Sequence, residues 1–530
     1  MKPTSYLSAL FRPSALPAGE RPPCDFDLIS RYFYNCPAED ASHTIDAETT
    51  ADLDLNAVFE RIDRTTSKVG QQCLYARIRT LRGQEDAEAF GRSTDCFSRN
   101  GELAASCTES LSRLTDEDAY GLQNLIFDTP AKVRYFAWVY PLTLLAVATL
   151  LAAPFYPLSL LLFMAVFAVN LYIHYSNKLN VSLYGSAVKQ LSLALRTARE
   201  LAVEEVPGTE EATGQIRQVA EVERRSRVVG TQGDSANELA AIAWLFIELA
   251  KVAFNIEVIL FQRFIGSITA RRDAIHGMFR FIGETDATLS VARLRRERPT
   301  CRPEFLGDKR LEAVGVIHPL IDGCVANTLR LENESLLLTG SNMSGKTTFL
   351  RTLILNALLG ETVGFCFAER FRLPYCRIFS VIGLTDDLGQ GTSYYLQEVL
   401  SVKRLLEAAN KYTPCLFALD EPFKGTNTAE RIAAGKAVLS HLNRSGQLVL
   451  VSTHDLELAV RLRSDGFVPY HFREEIADRR LTFDYRLHPG VPAGHNALRI
   501  LELYGYPPEV VAQARRISEE LTGSEPPRDR

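Results

Sequence analysis

Hydrophobic and polar positions divide the chain into three regimes. Residues 52–82 alternate apolar and polar positions with helical period, broken at Thr65-Thr66-Ser67 and Gly70, and residues 45–130 read as helical throughout. From 135 to 177 there is no Asp, Glu, Lys or Arg. Two apolar runs lie in that stretch, 135–153 and 158–175, separated by Pro154-Phe-Tyr-Pro157. As helices they are about 27–29 Å long at ~1.5 Å per residue, near the ~30 Å of a hydrocarbon core. Tyr135, Phe136, Trp138 and Tyr140 at one end, and Phe155, Tyr156, Tyr172 and Tyr175 at others, have the distribution of an interfacial aromatic belt. The pattern predicts a transmembrane helical hairpin with Lys132, Arg134 and Lys178 on the cytoplasmic side, the rival reading being a buried helical hairpin in a soluble core.

Helical patterning returns after the hairpin. Residues 178–205 and 210–229 read as helices, and 239–294 as a long helical stretch with a break near Gly283. Within it, 239–264 is apolar but carries Glu248, Lys251 and Glu257, which predicts a buried helix of a soluble domain, with a third membrane span as the alternative. Arg293, Arg295, Arg296 and Arg298 precede Pro299, either as a solvated junction or as a phosphate contact. From about residue 301 the period changes. Short β-rich runs at 336–339, 377–382, 415–419 and 448–452 alternate with helices, as in an α/β domain with a largely parallel sheet. Residues 507–521 read as an amphipathic helix in a short C-terminal coda.

Composition changes this picture little. The 530 residues are 46% hydrophobic and 23% charged, enough for two or three domains with real cores. A net charge of −5 and a pI near 6.1 exclude a globally basic nucleic-acid coat, though not a local patch. The ten cysteines form no C-x-x-C pair and no zinc spacing, as expected of free thiols in a reducing compartment. Residues 1–22 lack the apolar core of a cleavable signal.

The chemistry is concentrated in the α/β part. Residues Gly340 to Thr347 match G-x-x-x-x-G-K-[ST] between an apolar strand and a helix, the context of a nucleotide phosphate loop. Gly340 and Gly345 let backbone N–H groups face phosphate oxygens, Lys346 supplies charge, and the Thr347 hydroxyl is a Mg²⁺ ligand. The apolar run ending at Asp420-Glu421 places a metal carboxylate, Asp420, beside a candidate general base, Glu421. A further strand ends at Thr453-His454, where His454 can reach a γ-phosphate. Between them, Asp386, Asp387, Gly391, Ser393 and Glu398 form a polar cluster. It reads either as a capped loop, with Ser393 at the N-cap, or as a segment that completes a neighbouring subunit's ATP site.

Together these residues resemble the MutS family of DNA mismatch-repair ATPases, of the ABC-type class. The resemblance is carried by His318-Pro-Leu320, Asn327, Thr339 to Arg351, Gly383 to Glu398, Asp420-Glu-Pro-Phe-Lys-Gly-Thr-Asn427 and Thr453-His454. It extends to Pro489-Gly490, Asn496 and Gly505-Tyr-Pro507 in the coda. Upstream, 55–70, with Asp63, Thr65, Ser67 and Gly70, resembles the start of the family's helical lever domain, and 282–292, with Asp286 and Ser290, its end.

The resemblance implies an α/β P-loop ATPase domain preceded by an all-α lever domain, here interrupted by the transmembrane hairpin. The expected boundaries are a poorly structured lead-in at 1–44, lever at 45–130 and 179–300, hairpin at 131–178, ATPase domain at 301–490, and coda and tail at 491–530. It implies ATP and Mg²⁺ as cofactors, with Glu421, His454 and Lys346 catalytic and Thr347 and Asp420 on the metal. Gly340, Ser341, Asn342, Met343, Ser344, Gly345, Lys346, Thr347 and Thr348, with His318, Asn327 and Ser393, are implied to hold nucleotide. The implied partners are a second copy through the ATPase domain and mismatched, damaged or branched DNA; the hairpin adds a lipid bilayer through 135–175 and an inner-membrane location.

The 44 residues before the lever are too few for the family's mismatch-reading domain and connector. Phe367-Ala-Glu369 and Phe246-Ile-Glu248 match its Phe-x-Glu reader by letters only, and the hairpin sits where the DNA-gripping clamp is expected. The alternative expectation is an ABC-like membrane-associated mechanochemical ATPase acting on a protein or membrane partner without DNA.

Overall fold

The computed structural model of the chain describes residues 24–36, 41–129, 133–226, 238–341, 344–383, 394–444, 446–477, 480–492 and 497–523. The C-terminal half is built on a six-stranded sheet. Its strand order is Arg480–Pro489, Phe467–Ala477, Ser335–Thr339, Leu448–Ser452, Cys415–Asp420, Arg377–Val381. All neighbours are parallel except the outermost pair, Phe467–Ala477 with Arg480–Pro489. The central strands are short apolar runs because both faces are covered. Alternate residues serve opposite cores. Leu336, Leu338, Leu416 and Leu450 pack with the helix Lys346–Val363, whereas Leu337, Phe417, Leu419 and Val451 pack with residues of Tyr394–Lys411, Thr428–Arg444 and Leu456–Leu462.

The sheet runs expected at 336–339, 377–382, 415–419 and 448–452 are thus present within a residue. A second, four-stranded sheet was not expected. It orders Pro303–Leu306, Arg370–Pro374, Leu311–Val316 and Asn327–Leu331 and is mostly antiparallel.

The helical half packs Lys68–Ile78, Thr209–Ser226 and Arg272–Glu297 around the inner end of one very long helix, Ser159–Val203. The two segments that resemble the ends of the lever meet directly. Asp286 is fully buried and accepts from the backbone N–H of Thr66 and of Ser67 and from the Ser67 hydroxyl. Ser290 accepts from the Arg64 N–H at 2.7 Å. Gly70 faces Asp286 so closely that a Cβ there would lie 2.1 Å from a carboxylate oxygen.

Several expectations are corrected. Residues in the supposed lead-in form two short helices, Phe26–Ile29 and Arg31–Asn35, because Ile29 and Tyr32 are buried in the two main cores. Neither Gly70 nor Gly283 breaks a helix: Lys68–Ile78 and Arg272–Glu297 run through them, and Gly283 instead lets Cys73 approach. The arginines before Pro299 are used internally. Arg293 donates to Arg64 O and Thr66, Arg295 pairs with Asp95, Arg296 donates to Phe97 O and Ser98 O, and Arg298 pairs with Asp322.

The stretch 239–264 is not one buried helix. It is two, Glu238–Ala253 and Ile256–Thr269, bent by 67°, and Phe246 and Ile247 are exposed. The hairpin region is a helix Phe136–Ala152 followed by Ser159–Val203. Ser159–Lys178 is long and apolar enough to cross a membrane and only 17% of that window is buried; Phe136–Ala152 is shorter, at 17 residues. The second helix does not end near residue 175. It continues to Val203 over 45 residues, about 68 Å at ~1.5 Å per residue.

One buried acid makes the core of the C-terminal half sensitive to pH. Glu361 lies inside Lys346–Val363, accepts from the N–H and thiol of Cys376, and has one oxygen without a hydrogen bond. Burial pushes its carboxyl up to about 8. A folded value raised above the unfolded one means that its contribution is complete below ~4.3 and is lost as pH rises through 8. Glu361→Gln is therefore expected to raise the melting temperature at pH 8.5 and to leave it nearly unchanged at pH 5. Equal shifts at both values in a thermal melt would rule this out.

Candidate nucleotide site

The phosphate-loop strand Ser335–Thr339 ends at Gly340, whose φ of 138° is open to glycine. The loop closes at Gly345, φ 102°, which begins the helix Lys346–Val363. The first N–H groups of that helix therefore face the loop, a natural anion site. The Lys346 ammonium is turned into the loop and donates to the carbonyls of Gly340 and Ser341 at 2.7 and 2.8 Å. Burial holds it below its ordinary value, with the charges of Glu421 and Asp420 opposing. Ser344 is buried and its hydroxyl donates to Ser341 O, bracing the turn. Thr348 faces the adjoining cavity. Asn342, Met343 and Ser393, with Asp386, Asp387 and Gly391, lie outside the described residues.

The acidic pair is placed by the sheet. Parallel pairing sets Asp420 beside Ser452 at the ends of neighbouring strands. The Thr347 hydroxyl donates to Asp420 Oδ2 at 2.7 Å, and the Ser452 hydroxyl donates to Oδ1. The two expected metal ligands are thus in contact. Ser452 is a third member that strand-end position alone did not reveal.

The chain then turns sharply: Glu421 has φ 49° and Phe423 φ 63°, both in the left-handed region that side chains avoid. The Glu421 N–H donates to Ser452 O at 2.9 Å, which fixes the turn. Glu421 Oε1 lies 3.0 Å from His454 Nδ1, and Oε2 accepts no hydrogen bond, with Lys424 Nζ at 3.5 Å. Burial pushes the Glu421 carboxyl up, but the hydrogen bond and charge of His454, with Lys424 and Lys346, outweigh it and hold it below its ordinary value. An ionised carboxylate with one free oxygen, oriented by an imidazole, can accept a proton from water. Glu398, also buried, accepts from the N–H of Lys424 and of Gly425 and so clamps the loop that follows.

Beside the loop lies a cavity of about 360 Å³, walled by Val316, Ile321, Val325, Phe349, Phe472 and Tyr485 and opening on Gly345 and Thr348. Apolar walls of this size next to a phosphate loop suit a flat heterocyclic base. His318, expected to hold nucleotide, does not line this cavity. It is buried, its Nδ1 accepts from the Leu320 N–H, and burial with the charge of Arg351 pushes it down to about 4, so the ring is neutral. Asn327 borders the cavity, but its amide is taken up by backbone: Nδ2 donates to Tyr485 O and Val325 O, and Oδ1 accepts from Leu487 N–H. It stitches the strand Arg480–Pro489 over the site. Phe472 and Tyr485 were missed in the sequence because they come from the terminal hairpin, more than 100 residues from the phosphate loop.

The donor set fits a nucleotide and Mg²⁺. Thr347 and Asp420 are the residues that would hold the metal, and the Lys346 ammonium is within the loop. Among the described residues no cluster of three or more His, Cys, Asp or Glu provides a metal cage of its own.

Comparison with known proteins agrees with this geometry. The profile of MutS domain V matches residues 336–522. The DNA mismatch repair protein MutS of Aquifex pyrophilus is 29% identical over 309 residues, covering 57% of this chain and 36% of that protein. The same-named proteins of Chloroflexus aurantiacus and Geobacillus thermodenitrificans are each 28% identical, over 58% and 57% of this chain and 33% and 34% of their own length. The chain thus spans about a third of the length of these relatives. The domain V profile lies on the sheet that carries the phosphate loop, the Thr347–Asp420–Ser452 group and the Glu421–His454 pair, and it is this part of the chain that is similar to MutS domain V.

Proposed function

We propose that the protein is a membrane-anchored MutS-like ATPase that binds and hydrolyses ATP at composite sites between two copies and acts on mismatched, damaged or branched DNA. The observation that carries the ATPase reading is the pairing of Thr347 with Asp420 next to a strained, His454-oriented Glu421. Thr347 and Asp420 would hold a Mg²⁺ ion, which when bound would neutralise phosphate charge. Lys346 and the N-terminus of its helix bind and orient the phosphates, Glu421 accepts the proton of the attacking water, and His454 keeps Glu421 aimed. The cavity walled by Phe349, Phe472 and Tyr485 takes the base. Ser393 and its neighbours complete the site of the second copy.

DNA enters from the relatives, named for mismatch repair, and from the lever motifs that meet at Asp286. Membrane anchoring is supported by the exposed apolar side chains of the hairpin, among them Trp138, Leu144, Leu151, Phe155 and Leu161. Such a surface is unfavourable in water and finds apolar partners in a bilayer.

One observation favours the second reading, an ATPase that moves a membrane or protein partner. The helix Ser159–Val203 passes without a break from the exposed apolar segment into the helical core, so a lever movement would be carried along it.

A single experiment separates the two. The protein is extracted in detergent and its ATPase rate is measured with and without duplex and branched DNA at low and high salt. Stimulation that weakens as salt rises is expected of DNA as ligand. Turnover with no DNA binding at low salt would leave the membrane-motor reading.

A further inference from the structure

The broken helix pair beside the hairpin carries more than the single hairpin predicted. Its break lies at Phe254-Asn255, where Asn255 has φ 50°. Such a break orphans backbone carbonyls. Two of them are capped from the hairpin: Asn170 Nδ2 donates to Ala253 O at 2.7 Å, and the Thr143 hydroxyl donates to Phe254 O at 3.1 Å. Asn170 is fully buried, and Val139, Ile173 and Val258 close the apolar contact around the joint. The break is thus held by both hairpin helices.

Depth can be read from each hairpin helix independently. Arg134 and Asn177 are tied by a 2.8 Å hydrogen bond at the charged end. Thr143 lies nine residues beyond Arg134, and Asn170 eight before Lys178; both place the break about 12–14 Å inward at ~1.5 Å per residue. That is well inside a core of ~30 Å but short of its far side.

The charges that argued for a soluble helix are paired. Glu248 lies 2.6 Å from Lys251, and Glu257 lies 3.3 Å from His174. Phe246, Ile247, Leu249 and Ile256 are exposed, as are many apolar side chains of the hairpin.

Topology selects between a crossing and a return. The helix before the pair, Thr209–Ser226, and the helix after it, Arg272–Glu297, pack in one core. A full crossing by Glu238–Thr269 would put them on opposite sides of the membrane. We infer that Glu238–Ala253 and Ile256–Thr269 form a re-entrant element, which dips into the lipid beside the hairpin, turns at Phe254-Asn255, and returns to the side it left. Its occupied surface is lipid acyl chain. The inference rests on the membrane reading of the hairpin. It is the membrane form of a helix break sealed by neighbouring side chains.

The chain has two tryptophans, Trp138 in the hairpin and Trp244. The test uses the full-length protein reconstituted in vesicles of lipid brominated in the acyl chain, which quenches tryptophan on contact. Three variants compare single tryptophans: Trp244→Phe, which leaves Trp138; and Trp138→Phe with Trp244→Phe carrying either Phe246→Trp or Leu249→Trp. Val203→Trp in the same double-Phe background reports the exposed lever surface. Both new positions are exposed, so neither substitution disturbs a core. The expected result is a fluorescence loss at positions 246 and 249 comparable to that of Trp138, with none at 203. Loss at Trp138 but not at 246 or 249 would overturn the re-entrant element and leave the hairpin standing. No loss at Trp138 would remove the membrane reading itself, and the re-entrant element with it.

Discussion

Glu421→Gln is expected to bind ATP about as tightly as the natural chain and to hydrolyse it roughly a hundredfold to ten-thousandfold more slowly, the range for loss of a general base. The reasoning is geometric. Gln keeps the shape that the left-handed turn and the Ser452 O hydrogen bond impose, so the loop should not collapse. What is lost is the oxygen that can take a proton, Oε2, which no hydrogen bond occupies. Lys346→Ala should fail differently, because it removes the charge inside the loop and with it nucleotide binding. His454→Ala should fall between, since Glu421 keeps its carboxylate and loses its orienting partner. Nucleotide binding by equilibrium fluorescence and turnover by phosphate release separate the three. Wild-type turnover in Glu421→Gln would remove Glu421 from the role of base. Because Glu421 is held below its ordinary value, the acid limb of the rate profile should also lie below the usual glutamate range.

Much of this site was legible because its parts are local. The phosphate loop, Asp420-Glu421 and Thr453-His454 each sit at the end of an apolar run, and parallel pairing of those runs brings their ends together. Nothing in a local pattern says which side chains cross between distant segments. Asn327, which the family resemblance placed on the nucleotide, is held by Tyr485 O and Leu487 N–H from a hairpin that the sequence pattern did not single out. Glu398 was noticed as part of a polar cluster, but its use as a clamp on the Lys424 and Gly425 backbone depends on a contact 26 residues away.

The same distinction explains the helical half. Charges at Glu248, Lys251 and Glu257 argued for a soluble helix, because a one-dimensional pattern counts a charge and cannot see its partner. His174, which pairs with Glu257, lies 83 residues earlier. Gly70 and Gly283 read as breaks in the pattern, yet each is a contact point where a neighbouring side chain, Asp286 or Cys73, needs the space of a missing Cβ.

The joint at Asp286 gives the second large effect. Its carboxylate replaces water for the Thr66 N–H, the Ser67 N–H and the Ser67 hydroxyl, all where the two halves of the helical domain meet. Asp286→Ala leaves these donors without an acceptor in a dry interior and is expected to destabilise the chain by roughly 3–5 kcal/mol. Gly70→Val should be comparably harmful from the other side, since its Cβ would strike the same carboxylate. Asp286→Asn retains an acceptor and the size, and separates the hydrogen bonds from the charge. Burial raises the Asp286 carboxyl to about 6, against the hydrogen bonds of Ser67 and Thr66 and the charge of Arg293. A raised folded value means a contribution complete below ~3.9 and lost as pH rises through 6. The natural chain should therefore lose stability relative to Asp286→Asn between pH 4 and 7, by about 3 kcal/mol for ~2 units. Denaturant unfolding of both at pH 4, 5.5 and 7 reads this difference directly. A constant gap across the three values would mean that Asp286 acts through its hydrogen bonds alone. A gap that widens with pH would mean that this junction of the helical half carries a charge it has to suppress.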